Sequence, residues 1–146
     1  MRNASVKPKI ILDTKPLIKL FAKETGWKAV QEISTRIEAD EIEGAISVVT
    51  LTEIYYKYLH DKRPDLAEVR TEQLKCIPYL RKLEIDEGTA IKAGEFKGKY
   101  SVSVADAFIA ASAYFEGSII ISDDPDFRRI AEVKTLTENE ILSHLQ

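Results

Sequence analysis

Cysteine is almost absent: Cys76 is the only one in the 146-residue chain. An intrachain disulfide is therefore excluded, and a reducing compartment is expected. Histidine is nearly as scarce, with His60 and His144 alone. One thiol and two imidazoles fall short of a structural zinc site, so any metal here must be held by oxygen. Long apolar runs are missing too. The amino-terminal segment carries Arg2, Lys7 and Lys9, but its apolar stretch is only Ile10, Ile11 and Leu12. That is too short for a signal peptide or for a membrane span of about 20 residues. A cytoplasmic protein with no membrane partner is expected. The chain also lacks an excess of either charge, with a formal net of −3. This argues against a protein that coats nucleic acid by bulk charge, though not against an enzyme that grips RNA locally. No repeat, low-complexity block or linker interrupts it, so residues 1–146 are expected to form a single domain.

What is present is an ordinary globular composition, 45% hydrophobic and 31% charged, in a chain long enough to bury roughly 70% of its unfolded surface. Lys9 to Leu12 reads as a buried strand ending at Asp13. Leu17, Leu20 and Phe21 follow helical spacing, and a second helix is expected from Thr25 to Glu38. Ala45 to Val49 reads as a second strand, followed by helices over Leu51–His60 and Leu66–Ile77. Leu83–Ile85 reads as a short strand and Thr89–Lys97 as a helix. Ser103–Phe115 is an Ala-rich, nearly all-apolar helix closed by Gly117. Ser118–Ser122 is a core strand with three consecutive isoleucines. A segment over Phe127–Ala131, a short strand near Val133 and a helix over Glu138–Leu145 finish the chain. Continuous apolar strands alternating with helices predict a three-layer α/β/α fold with a mostly parallel central sheet.

In such a sheet, ligands bind beyond the carboxyl ends of the strands. Asp13 ends the first strand, Glu53 lies just past the second, and Asp123, Asp124 and Asp126 follow the isoleucine strand. Asp106 begins a helix otherwise almost free of charge. Each acid also has a capping explanation. Asp13 precedes a helix near Pro16, Thr50 to Glu53 and Ser103 to Asp106 resemble capping boxes, and Asp124-Pro125 is a standard helix start. Together they are harder to dismiss. Two carboxylates about 5 Å apart repel by roughly 3 kcal/mol at an effective dielectric near 20. A cluster of them calls for a cation, and all-oxygen donors favour Mg²⁺ or Mn²⁺. Such ions suit phosphodiester hydrolysis.

The four segments Ile10–Phe21 (IILDTKPLIKLF), Ser47–Tyr56 (SVVTLTEIYY), Ser103–Ala113 (SVADAFIAASA) and Ile119–Phe127 (IIISDDPDF) are similar, in this order, to the motifs of PIN-domain ribonucleases. The VapC-type toxins are the nearest likeness. The resemblance spans Lys9 to about Leu136, and its third motif is the most specific. It implies an endoribonuclease that uses Mg²⁺ or Mn²⁺, with Asp13, Glu53, Asp106 and Asp124 as catalytic, metal-binding carboxylates. Thr14, Ser122 and Asp126 would be supporting residues. It also implies an RNA substrate, a cognate antitoxin and a homodimer. Lys15 and Pro16 depart from the small residues usual there, and the doublet Asp123-Asp124 leaves open which acid faces inward.

Between Lys57 and Lys82 seven basic residues face four acids. They read either as an RNA-backbone surface or, the reading preferred, as solvated helical faces with mixed ion pairs. Tyr55, Tyr56 and Tyr58 read in the same way as stacking or, preferably, packing residues. Two rivals stand beside the nuclease. Phosphoryl transfer through an aspartyl intermediate is disfavoured, because Asp13-Thr14-Lys15 lacks the second Asp two positions on. A catalytically inactive PIN scaffold that only binds RNA or protein is weakened by the presence of all four acids.

Overall fold

The computed structural model describes residues 7–145; Arg2 lies outside them. The elements are β1 (Lys9–Leu12), α1 (Thr14–Ala22), α2 (Trp27–Glu38), β2 (Glu43–Ser47), α3 (Val48–His60), α4 (Pro64–Lys75) and β3 (Leu80–Leu83). They continue with α5 (Glu87–Tyr100), α6 (Val104–Glu116), β4 (Ile119–Ile121), α7 (Pro125–Arg128), β5 (Thr135–Leu136) and α8 (Glu138–His144). The sheet order is β3-β2-β1-β4-β5, and every pair in it is parallel.

Alternation within each strand explains why the strands are apolar throughout. Ile10 and Leu12 of β1 join a core on one face with Ile46 and Ile121. Ile11, Ala45 and Ile120 join a second core on the other face. The first core takes side chains from α1, α2, α3, α4 and α8, including Leu17, Ile33, Ile54, Leu74 and Ile141. The second takes Phe96 of α5, Ala107 and Ala110 of α6, and Phe127 of α7. Strands sandwiched between two apolar layers have no polar face to show, which gives the expected three-layer α/β/α arrangement. Among the described residues no helix is long and apolar enough to cross a membrane.

Several boundaries differ from the sequence expectation, three of them instructively. Val48 and Val49 belong to α3 and not to β2, because the Ser47 hydroxyl accepts the Val49 N–H at 3.2 Å and starts the helix there. A local cap thus overrides the strand preference of two valines. β3 occupies Leu80–Leu83. It is an edge strand, where Arg81 and Lys82 are tolerated because only one side is paired. The last strand lies at Thr135–Leu136, just beyond Val133.

Packing between α2 and β2 is tight at Gly44, where a Cβ would lie 2.4 Å from Ile37 Cδ1 and 2.9 Å from Ile37 Cγ1. Ile37 belongs to a close-packed layer with little room to yield. Gly44→Ala is expected to cost about 1–3 kcal/mol by overpacking, read as a lower urea midpoint with unchanged m-value.

The chain runs from β1 outward through β2 to β3, then crosses back to β4 and β5 on the other side of β1. The switch point lies between β1 and β4, and in open α/β sheets ligands bind at the carboxyl ends of the strands there. Asp13 follows β1 there, and Ser122 follows β4.

Candidate active site

Asp13 is the N-cap residue of α1, yet its side chain makes no capping bond. Its carboxylate is instead held across the sheet switch: the Ser122 hydroxyl donates to Asp13 Oδ2 at 2.8 Å. The same hydroxyl accepts the Asp124 N–H at 3.0 Å. Ser122 is fully buried, so one hydroxyl fixes the Asp13 side chain and the backbone that presents Asp124. Asp124 caps α7, accepting the Asp126 N–H at 2.9 Å through Oδ1. Capping and site placement are compatible here, because a carboxylate has further lone pairs to offer.

Glu53 sits in the second turn of α3, not in a capping box, since that helix begins at Ser47. Its Oε1 accepts from the Thr14 hydroxyl at 2.6 Å, which ties α3 to the start of α1. Asp106 lies in the first turn of α6, where Ser103 Oγ accepts its backbone N–H at 3.1 Å. The carboxyl of Asp106 is half-buried. Oxygens of Asp106, Asp124 and Asp126 all lie within 4.8 Å of one another. Asp13 and Glu53 stand outside that trio but close enough for their charge to act on Asp106. The structure thus gathers five acids at this edge, with Asp126 beside Asp106 and Asp124.

Electrostatics register the crowding. Burial, followed by the charges of Asp13, Asp124 and Glu53, pushes the Asp106 carboxyl up to about 7. Burial likewise raises Asp13 to about 6, against the lowering effect of its bond from Ser122. Among the described residues, none of Asp13, Glu53, Asp106 and Asp124 forms a salt bridge, whereas Arg129 reaches Asp126 at 3.4 Å. Asp123 is different: it points away to Lys19 at 2.7 Å and Lys15 at 3.9 Å. These two lysines hold its carboxyl below the usual range, with the Lys19 bond the largest cause. Of the adjacent pair, Asp124 therefore faces the cluster.

The basic residues between Lys57 and Lys82 are largely engaged elsewhere. Lys57 pairs with Asp61, Arg63 with Asp65, Lys75 with Glu72 and Arg81 with Glu116, and Lys82 donates to the Ile77 carbonyl. Tyr58 is buried and Tyr55 donates to Glu68 on α4, while Tyr56 is exposed. Most of this segment is mixed pairs and packing. Lys19 and Glu138, joined at 2.9 Å, form a polar contact beside the site that no sequence motif marks.

A PIN domain family model matches residues 10–133. The chain belongs to the PIN-domain family. Its PIN fold recurs in a chain of DNA-bound VapBC from Salmonella typhimurium, with a TM-score of 0.72 at 22% identity, covering 90% of this chain and 98% of that one. A chain of VapBC2 from Rickettsia felis, bound to a promoter DNA fragment, gives 0.71 at 16% identity, covering 88% and 98%. Among curated proteins, Ribonuclease VapC4 of Mycobacterium tuberculosis is 29% identical over 112 residues, 71% of this chain and 86% of that protein. The donor set of this PIN domain fits a hard divalent cation: it is all oxygen, clustered, and short of protein countercharge.

Proposed function

We propose that this protein is a divalent-cation-dependent endoribonuclease that hydrolyses phosphodiester bonds in RNA, and that it is the toxin of a VapBC-type pair. The observation that carries the proposal is the acid cluster at the β1–β4 switch, whose Asp13, Glu53, Asp106 and Asp124 have no salt-bridge partner among the described residues, with Asp106 raised to about 7 by burial and by its neighbours. Burial and crowding of carboxylates to this degree are typical of functional sites, and a bound cation offsets both. Likeness to a ribonuclease of the same family directs the chemistry to RNA.

In this reading Asp13, Glu53, Asp106 and Asp124 hold Mg²⁺ or Mn²⁺. The bound ion supplies charge neutralisation and Lewis acidity at the scissile phosphate. Ser122 orients the Asp13 carboxylate through its hydroxyl and keeps the Asp124 amide in place. Thr14 does the same for Glu53. Without a cation, Asp106 is about half protonated at neutral pH, and a bound cation favours its ionised form. Lys15, largely exposed and only loosely paired with Asp123 at 3.9 Å, is a cation at the rim that can meet a phosphate from outside the cluster.

Single-stranded RNA of mixed sequence should be cut in Mg²⁺ or Mn²⁺ and left intact in EDTA. A folded protein that binds neither ion and cuts no member of a broad RNA panel would instead be an inactive binding module. Ser122→Ala is expected to lower the cleavage rate by about 10–100-fold, the cost usual for losing a partner that orients a metal ligand. Single-turnover cleavage at saturating Mn²⁺ measures it.

The partner side of the proposal rests on the VapBC assemblies among the structural neighbours. A small protein encoded next to this one should bind it and stop cleavage. A homodimer should give twice the chain mass by light scattering.

A further inference from the structure

Lys19 stands where three elements meet. It extends from α1, and its ammonium donates to Asp123 Oδ2 at 2.7 Å and to Glu138 Oε2 at 2.9 Å. Its side chain is 12% exposed and that of Glu138 only 6%, so the contact is largely shielded from water. Asp123 opens the turn between β4 and α7, whereas Glu138 opens α8. Glu138 Oε1 has no partner among the described residues. A Cβ on Gly26 would come within 3.1 Å of Glu138 Oε2, so this carboxylate is pressed against the backbone between α1 and α2. Lys19 is its countercharge.

The consequence concerns the neighbouring residue. Side chains adjacent along an extended segment point to opposite sides. A doublet of aspartates leaving a strand can therefore face a cluster with either member. Pinning Asp123 outward leaves Asp124 facing inward, beside Asp106 and Asp126. Lys15 reaches Asp123 only at 3.9 Å from an exposed position, so the shielded Lys19 contact is the stronger hold on Asp123, acting together with the Ser122 bond to the Asp124 amide. We infer that Lys19 is a positioning residue of the acid site, selecting Asp124 over Asp123 by holding Asp123 against α1 and α8. This rests on the proposed role of Asp124 as a cation ligand.

The sign of one measurement separates positioning from charge. Acting only as a nearby positive charge, Lys19 would weaken cation binding, and removing it would strengthen that binding. Acting as a positioning residue, its removal weakens binding, by about tenfold or more. The assay is Mn²⁺ titration of the metal-stripped full chain, with free Mn²⁺ read by electron paramagnetic resonance and folding checked by circular dichroism. Lys19→Met is expected to bind Mn²⁺ about tenfold more weakly, and Lys19→Arg to retain most of the affinity.

Because Lys19→Met leaves Glu138 charged and buried, the double variant Lys19→Met/Glu138→Gln keeps the test sound if the single one unfolds. It frees Asp123 without stranding a charge, and the same loss is expected. Unchanged or tighter Mn²⁺ binding in a folded variant overturns the inference. Wild-type protein that binds no Mn²⁺ overturns the site itself, and the inference with it. Binding lost in Asp106→Asn but kept in the Lys19 variants overturns the inference alone.

Discussion

Asp106→Asn should make the metal-free protein more stable while destroying its activity. The Asp106 carboxyl is pushed to about 7 by burial and by the charges of Asp13, Asp124 and Glu53, so at pH 7.5 its ionised form is a cost to the fold. Asparagine is nearly isosteric and uncharged. With the shift discounted because the group is partly exposed, the gain should be about 1–2 kcal/mol, a rise of a few degrees in Tm measured in EDTA. The same change removes a proposed ligand oxygen. Losing several kcal/mol of stabilisation at the reacting phosphate lowers the single-turnover rate by about a thousandfold or more. Opposite signs in stability and activity are typical of a residue whose cost is borne for function. A structural cap would lose both.

The second large effect is a pH dependence that a divalent cation inverts. Asp13 and Asp106 titrate near 6 and 7 in the folded chain, but near 3.9 when unfolded. Between those limits the folded state binds more protons than the unfolded state, so stability falls as pH rises. The decline should begin above about pH 4 and level off above about pH 7.5. For Asp13, almost fully buried, it amounts to roughly 3 kcal/mol; Asp106 adds less than its shift implies because solvent screens it. Carboxylates held low, such as Asp65, Asp86 and Asp123, act with the opposite sign and finish titrating below this window. Mn²⁺ favours the ionised carboxylates, so its stabilising effect should grow with pH across the interval in which the apo protein weakens. Urea midpoints from pH 4.5 to 8, with EDTA and with saturating Mn²⁺, should converge at the acid end. Parallel curves would show that the cation binds elsewhere.

Much of this was legible in the residues. The apolar runs Ile10–Leu12 and Ile119–Ile121 announce strands buried on both faces, and Gly117 does close α6 in the left-handed conformation. The strand-end positions of Asp13 and Asp124 follow from those two runs. Other features depend on contacts between residues distant in sequence. Asp123 is held outward by Lys19, far from it in sequence. Glu53 looks like a cap when α3 is begun at Leu51, and it ceases to when Ser47 starts the helix. The nearness of Asp126 to Asp106 depends on the tight turn into α7. Local pattern locates each acid on its element, but only tertiary packing sets the direction of its carboxylate.

Anomalous diffraction at the manganese edge, from crystals grown with Mn²⁺, tests the central claim most directly. A peak is expected among the carboxylates of Asp13, Glu53, Asp106 and Asp124, and it should disappear in Asp106→Asn crystals. An empty acid cluster in crystals of a protein that still cleaves RNA in EDTA would contradict it.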